Sequence, residues 1–140
     1  MRIKLLIFFC FFTCCFYRNL ACECNEKPLL KEAYSKTDVI LKGRVISIEQ
    51  SMADLEDGEK YHIKKCRVLV TEIYKGKIKS KMIFVYTPSL GGGCGFDFKL
   101  DSEYLIYCTE TNDKMLFYTD ACTRTTIYDG NEATELKKLH

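Results

Sequence analysis

Cys22-Glu23-Cys24, standing directly after an apolar leader, constrains this chain more than any other feature. Residues 1–21 begin with Arg2 and Lys4, continue through an aliphatic and aromatic run from Leu5 to Tyr17, and close on Asn19-Leu20-Ala21. A basic start, a short hydrophobic run and a small residue before a cut mark an export signal. The run is shorter than the roughly 18 apolar residues of a membrane span. Cleavage after Ala21 makes Cys22 the first mature residue. Its free α-amine then sits beside one half-cystine, on a backbone pinned again two residues later. A terminal amine held in this way is a potential metal ligand.

The leader also accounts for two oddities of composition. Three of the 21 basic residues (Arg2, Lys4, Arg18) and none of the 19 acidic ones fall within it, so residues 22–140 are close to neutral. Nothing global then points to nucleic acid or an anionic membrane. Of nine cysteines, Cys10, Cys14 and Cys15 leave with the leader, and an even set remains: Cys22, Cys24, Cys66, Cys94, Cys108 and Cys122. On an exported chain such a set reads as a disulfide framework. Spacing alone does not choose among its pairings. A zinc site is the weaker rival, because no C-x-x-C occurs and the only histidines are His62 and His140.

Residues 22–140 have the length of one domain, with no repeat, low-complexity segment or linker. Lys27 to Lys36 has helical spacing in Leu29, Leu30, Ala33 and Tyr34, with Pro28 suited to a first turn. Asp38 to Glu49 alternates through Val39, Leu41, Val45 and Ile48, and Gly43 marks a bulge or bend. Gln50 to Lys60 reads as a solvated loop. His62 to Tyr74 predicts a second strand through Val68, Val70 and Ile73, and Lys75-Gly76-Lys77 turns into a third at Lys81 to Thr87. Pro88 to Gly95 is irregular. Glu103 to Thr109 and Lys114 to Thr119 are two more strands, and Asn131 to Leu139 is an amphipathic helix through Ala133, Leu136 and Leu139. About five strands without α–β alternation, with a helix near each end, predict a mainly β chain folded as a small closed or partly closed barrel.

Several segments occur in an order that resembles a known family. Cys-x-Cys at the mature start, Ser35-Lys36-Thr37-Asp38-Val39-Ile40, Tyr74-Lys75-Gly76, Phe84-Val85-Tyr86-Thr87-Pro88 followed by Cys94-Gly95, Glu103-Tyr104-Leu105-Ile106 and Cys122 are similar to the N-terminal domain of tissue inhibitors of metalloproteinases. The resemblance spans nearly all of residues 22–125. It implies a netrin-like module, an OB-fold-like five-stranded barrel with flanking helices, in a single-domain form. It also implies the pairings Cys22–Cys94 and Cys24–Cys122. Cys66 and Cys108, which lie where the family has no cysteine, are left for each other.

The resemblance further implies a function. In that family the amine and carbonyl oxygen of the terminal cysteine chelate the zinc of a target protease, here through Cys22. The second residue, Glu23, enters the protease specificity pocket, and the strip Ser89-Leu90-Gly91-Gly92-Gly93-Cys94 supplies further contacts, with Leu90, Gly93 and Cys94 foremost. No cofactor of the chain's own is expected; the zinc belongs to the partner, a metalloprotease. The alternative is a netrin-like binding module for a protein or sulfated glycan, on the basic residues Lys64, Lys65, Arg67, Lys75, Lys77, Lys79 and Lys81. Leu20-Ala21-Cys22 also resembles a bacterial lipoprotein signal, in which case Cys22 anchors the protein to an envelope. Secretion is the leading expectation, and no membrane helix is expected in the mature chain. An enzyme is not expected, because no Ser/His pair, H-E-x-x-H or paired-carboxylate motif appears. Nor does a Gly-Lys-Ser/Thr follow the glycine run, which excludes a phosphate loop.

Overall fold

The computed structural model describes residues 22, 24, 26–54, 60–89 and 93–139. Residues 1–21, expected to be an export signal, Glu23 and Leu90 lie outside that set. Among the described residues the chain is mainly β, with a six-stranded sheet and two helices. In order these are α1 (Leu30–Lys36), β1 (Val39–Asp54), β2 (Lys60–Lys75), β3 (Met82–Pro88), β4 (Glu103–Glu110), β5 (Leu116–Tyr118), β6 (Thr126–Ile127) and α2 (Gly130–Lys137). Among the described residues no helix is long and apolar enough to cross a membrane.

β1 organises the sheet. It pairs with β2 from Ile40 to Asp54 and with β4 from Val39 to Arg44, both antiparallel. β3 joins β2, β5 joins β3 in parallel, and β5 meets β4 antiparallel, so hydrogen-bonded neighbours run β1–β2–β3–β5–β4 and return to β1. A circuit of this kind leaves few free edges. β6 pairs with β4 at Tyr104 and Leu105, on the edge opposite β1.

Residue alternation fills both faces of this sheet. Val39, Leu41 and Val45 of β1 meet Cys66, Val68, Ile83, Val85, Tyr104, Ile106, Cys108 and Phe117 in one buried cluster. The intervening Ile40, Leu105 and Tyr107 point the other way, against Ala33 of α1 and Ala133 and Leu136 of α2. β4 is therefore buried on both faces, from Tyr104 to Cys108. Each large side chain so buried stabilises the fold by about 1.5–3 kcal/mol.

Bulges bend β1 and β2 into this shape. The register shifts between Ile40 and Leu41, between Lys42 and Gly43, and between Val45 and Ser47. The first leaves Tyr74 of β2 unmatched, and re-aims the strand so that Tyr74 is buried while Ile73 is 41% exposed. Val68 lies in the first cluster and Tyr74 in the one beneath the helices, because an extra residue in a strand exchanges its faces. At the second shift Gly43 is buried, and a Cβ there would collide with Cγ1 of Val68.

Other boundaries differ from expectation for identifiable reasons. The first helix starts at Leu30 rather than Lys27, after an extended Leu29 without a side-chain cap. Pro28 lies ahead of it, its carbonyl accepting from Arg124 Nη1 at 2.9 Å. Gln50 to Asp54, expected in a loop, continues β1 as a two-stranded arm whose last matched pair is Asp54 and Lys60. Beyond the core both faces of a hairpin are wet, so polarity there does not distinguish strand from loop. Lys75 closes α1, donating to the carbonyls of Tyr34 and Thr37 at 2.5 Å each, where a cation also opposes the helix dipole.

Gly43→Ala should lower stability by about 1–3 kcal/mol through overpacking against Val68. Gly130→Ala, where an added Cβ meets nothing within 4 Å, should be neutral or stabilising by up to about 1 kcal/mol. Denaturant midpoints of the two variants check both; equal midpoints contradict the close approach of β1 and β2.

Candidate functional site

The chain reaches its candidate site at the end of β3. Pro88 closes that strand, and Ser89 N–H donates to the carbonyl of His62 at 2.9 Å while its hydroxyl donates to Gln50 Oε1 at 3.1 Å. The β1–β2 arm is thus tied to the segment leading into Gly93 and Cys94. Gly95 is buried against the Pro88 carbonyl, where any Cβ would collide with it. Only glycine permits that approach. Phe96 N–H then donates to Thr87 Oγ1 at 2.8 Å. Gly95 and Phe96, directly after Cys94, are therefore held against the end of β3.

A second segment arrives from β5. Asp120 Oδ1 accepts from the N–H groups of Cys122 and Thr123, at 2.9 and 3.0 Å, and its Oδ2 accepts from Tyr118 at 2.9 Å. Burial, and then the Asp120 carboxylate, raise the Tyr118 hydroxyl far above its usual range, so it remains a donor. Thr119 and Thr125 are fully buried and hydrogen-bonded to one another and to the Tyr107 carbonyl. Ala121 N–H donates to the Cys94 carbonyl at 2.7 Å, so the backbones carrying Cys94 and Cys122 are joined directly.

Onto this platform the segment at Cys22 and Cys24 is fastened twice. Cys22 is disulfide-bonded to Cys94 and Cys24 to Cys122, with Cα–Cα distances of 5.0 and 5.1 Å. The bridges span 72 and 98 residues. In the chain-entropy model each is worth roughly 4–5 kcal/mol. Cys22 and Gly93 are exposed, side by side with the half-buried Cys94. Of the expected contact residues, Cys22, Gly93 and Cys94 come together here; Glu23 and Leu90 lie outside the described residues.

The third expected bridge does not form. Cys66 and Cys108 are free and buried. Cys66 lies opposite Ile48 of β1 and Cys108 opposite Val39, nine residues apart along one strand. That contour is about 30 Å, whereas a disulfide requires Cα atoms within about 7 Å. The Cys108 thiol donates instead to the Val39 carbonyl at 3.6 Å. Burial raises the Cys66 thiol to about 11 and the Cys108 thiol further, so both stay protonated and inert.

Several of the basic residues have partners within the chain. Lys64 meets Asp97 at 3.3 Å, Lys65 lies over the ring of Phe84, and Lys75 is spent on α1. Lys77 and Lys79 line a cavity of about 430 Å³ with Glu110 and Asp113, where charge is mixed. The Asp120 bracket was the feature sequence reasoning passed over. Its signal is an Asp two residues before a Cys-Thr pair, a pattern in which the carboxylate accepts from following N–H groups.

Scanned against models of known protein families the chain matches none, and no curated protein matches it.

Non-reducing peptide mapping should find Cys22 joined to Cys94 and Cys24 to Cys122. Iodoacetamide should leave Cys66 and Cys108 unmodified in the native protein and alkylate both after unfolding. A Cys66–Cys108 bridge, or rapid native alkylation of either, contradicts this arrangement.

Proposed function

We propose that this chain is a secreted inhibitor of zinc metalloendopeptidases, acting through the α-amine and carbonyl oxygen of Cys22 once the leader has been cut after Ala21. The observation that carries the reading is the doubly bridged Cys22-x-Cys24 segment, exposed at Cys22 and fixed to two hydrogen-bonded backbones. Support for the fold comes from the closed pairing circuit with its parallel β3–β5 contact, the connectivity of a five-stranded OB-type barrel, and from the two helices packed on β1 and β4. On this reading the module is netrin-like.

The chemistry is that of a bidentate ligand for another protein's metal. A catalytic zinc keeps one coordination position open, normally filled by water. An α-amine has a reference pKa of about 7.7–8.0, so near neutral pH a useful fraction is unprotonated, and zinc draws the equilibrium further toward that form. Because the bridges hold amine and carbonyl together, little ordering entropy opposes chelation. The amine therefore has to be free, which excludes acylation or lipidation of Cys22 in the active form.

Glu23 sets the target class. The resemblance to the metalloproteinase inhibitors implies that the Glu23 carboxylate enters the specificity pocket beside the zinc. In a deep apolar pocket an unpaired carboxylate costs several kcal/mol. A pocket with a basic residue or open to water accepts it. The preferred partner is thus a zinc endopeptidase with a polar or basic pocket, and enzymes with deep apolar pockets are inhibited weakly.

Two variants test this against one matrix metalloprotease. A chain with one residue added before Cys22 should lose inhibition while keeping both disulfides. Glu23→Leu should tighten inhibition at least about tenfold, or 1.4 kcal/mol. Equal inhibition constants for native and extended chains contradict chelation. Inactivity of all three correctly bridged chains would favour the binding-module alternative.

A further inference from the structure

We propose that Cys22, Cys24, Cys94 and Cys122 form a zinc tetrathiolate site of the chain's own when their two disulfides are reduced. The four sulfur atoms all lie within 4.8 Å of one another. Across the two bridges, Cys22 Sγ is 3.5 Å from Cys24 Sγ and 4.0 Å from Cys122 Sγ. A tetrahedral zinc with Zn–S bonds of about 2.3 Å requires sulfurs about 3.8 Å apart. Of the four unbonded separations these two bracket that edge and the others are within 4.8 Å, so reduction leaves four thiols gathered near a tetrahedron, and the formerly bonded pairs must draw apart.

The scaffold behind two of the ligands does not depend on the disulfides. Ala121 N–H donates to the Cys94 carbonyl, and Asp120 holds the Cys122 N–H. These contacts persist on reduction and keep half of the cage assembled. Cys22 and Cys24, on one short segment, supply the other half. The donor set is sulfur only, which favours zinc over hard oxygen-seeking cations such as magnesium or calcium. Cys66 and Cys108 are buried in the core and do not join it.

The redox step balances with a dithiol reductant. Each of two dithiol molecules attacks one bridge through a mixed disulfide and closes to its own cyclic disulfide, transferring two electrons and two protons. Four cysteine thiols result, and zinc binding displaces their four protons. Cys22 is exposed, so the reductant has access to the first bridge. The terminus is then clamped to the domain in either state, by disulfides under oxidising conditions and by metal under reducing ones. The proposal concerns the free protein's own metal and is independent of any protease target.

The chain beginning at Cys22 is reduced anaerobically with a dithiol, freed of reductant and titrated with Co²⁺, then Zn²⁺. One equivalent of cobalt should give the intense visible bands and near-ultraviolet sulfur-to-metal absorption of a four-thiolate tetrahedral centre, and zinc should abolish them. With zinc bound, alkylation of Cys22, Cys24, Cys94 and Cys122 should slow at least about tenfold. The oxidised chain should bind no cobalt, a Cys66→Ala/Cys108→Ala variant should keep the signal, and Cys24→Ser should weaken it to a three-thiolate spectrum. If reduction unfolds the chain, metal should restore its circular dichroism, because binding free energy then drives folding. No cobalt uptake, a spectrum with fewer than four sulfur ligands, or a signal unaffected by Cys24→Ser overturns the proposal.

Discussion

Near its start β1 is paired on both edges, to β4 from Val39 to Arg44 and to β2 from Ile40 onward, and the closed circuit of strands depends on that shared stretch. A strand in this position has to bend sharply without losing its ladders. Bulges between Ile40 and Leu41 and between Lys42 and Gly43 provide the bend, and glycine at 43 allows Val68 to close against the concave side. The same six residues divide the interior. Val39 and Leu41 face the cluster shared with β2, β3, β4 and β5, and Ile40 faces the one roofed by the two helices. Loss of the bend would therefore open both cores together.

The terminal site is built on the far side of that circuit and inherits its rigidity. β3 and β5, paired in parallel, end beside each other and release the two segments that carry Cys94 and Cys122. Buried threonines and Asp120 fix the second segment, and the Gly95 contact with Pro88 fixes the first. The disulfides then attach Cys22 and Cys24 to two segments that are already placed, holding the backbone of Cys22 while leaving it exposed.

Much of this was legible in the residues, and the failures share a cause. Val39, Leu41, Val45, Val68, Ile83 and Val85 alternate because one face is buried, and each lies in the core as its spacing predicts. Ala133 and Leu136 do the same at helical spacing. Tyr74 faces the helices rather than the side of Val68 because unmatched residues in β2 have no signal in alternation. Gln50 to Asp54 looked like a loop because an arm wet on both faces carries no hydrophobic pattern. β6, two residues long, is too short to show one. Cys66 and Cys108 were matched by count, whereas their separation along β1 is set by a register that only the folded sheet reveals. At the site, Cys22, Gly93 and Cys94 were readable from a family-like order of motifs, while the Asp120 bracket that places Cys122 was not sought.

The account turns on whether the Cys22 amine enters the coordination sphere of a protease metal. The most direct measurement is the visible absorption of a cobalt-substituted matrix-type metalloprotease, recorded as the chain carrying Glu23→Leu is added with its amine free or acetylated. The account predicts that one equivalent of the free-amine chain shifts the cobalt bands as nitrogen and carbonyl oxygen replace water, and that the acetylated chain leaves them unchanged. Identical spectra with and without the free-amine chain, at concentrations where the two proteins are bound, would contradict it.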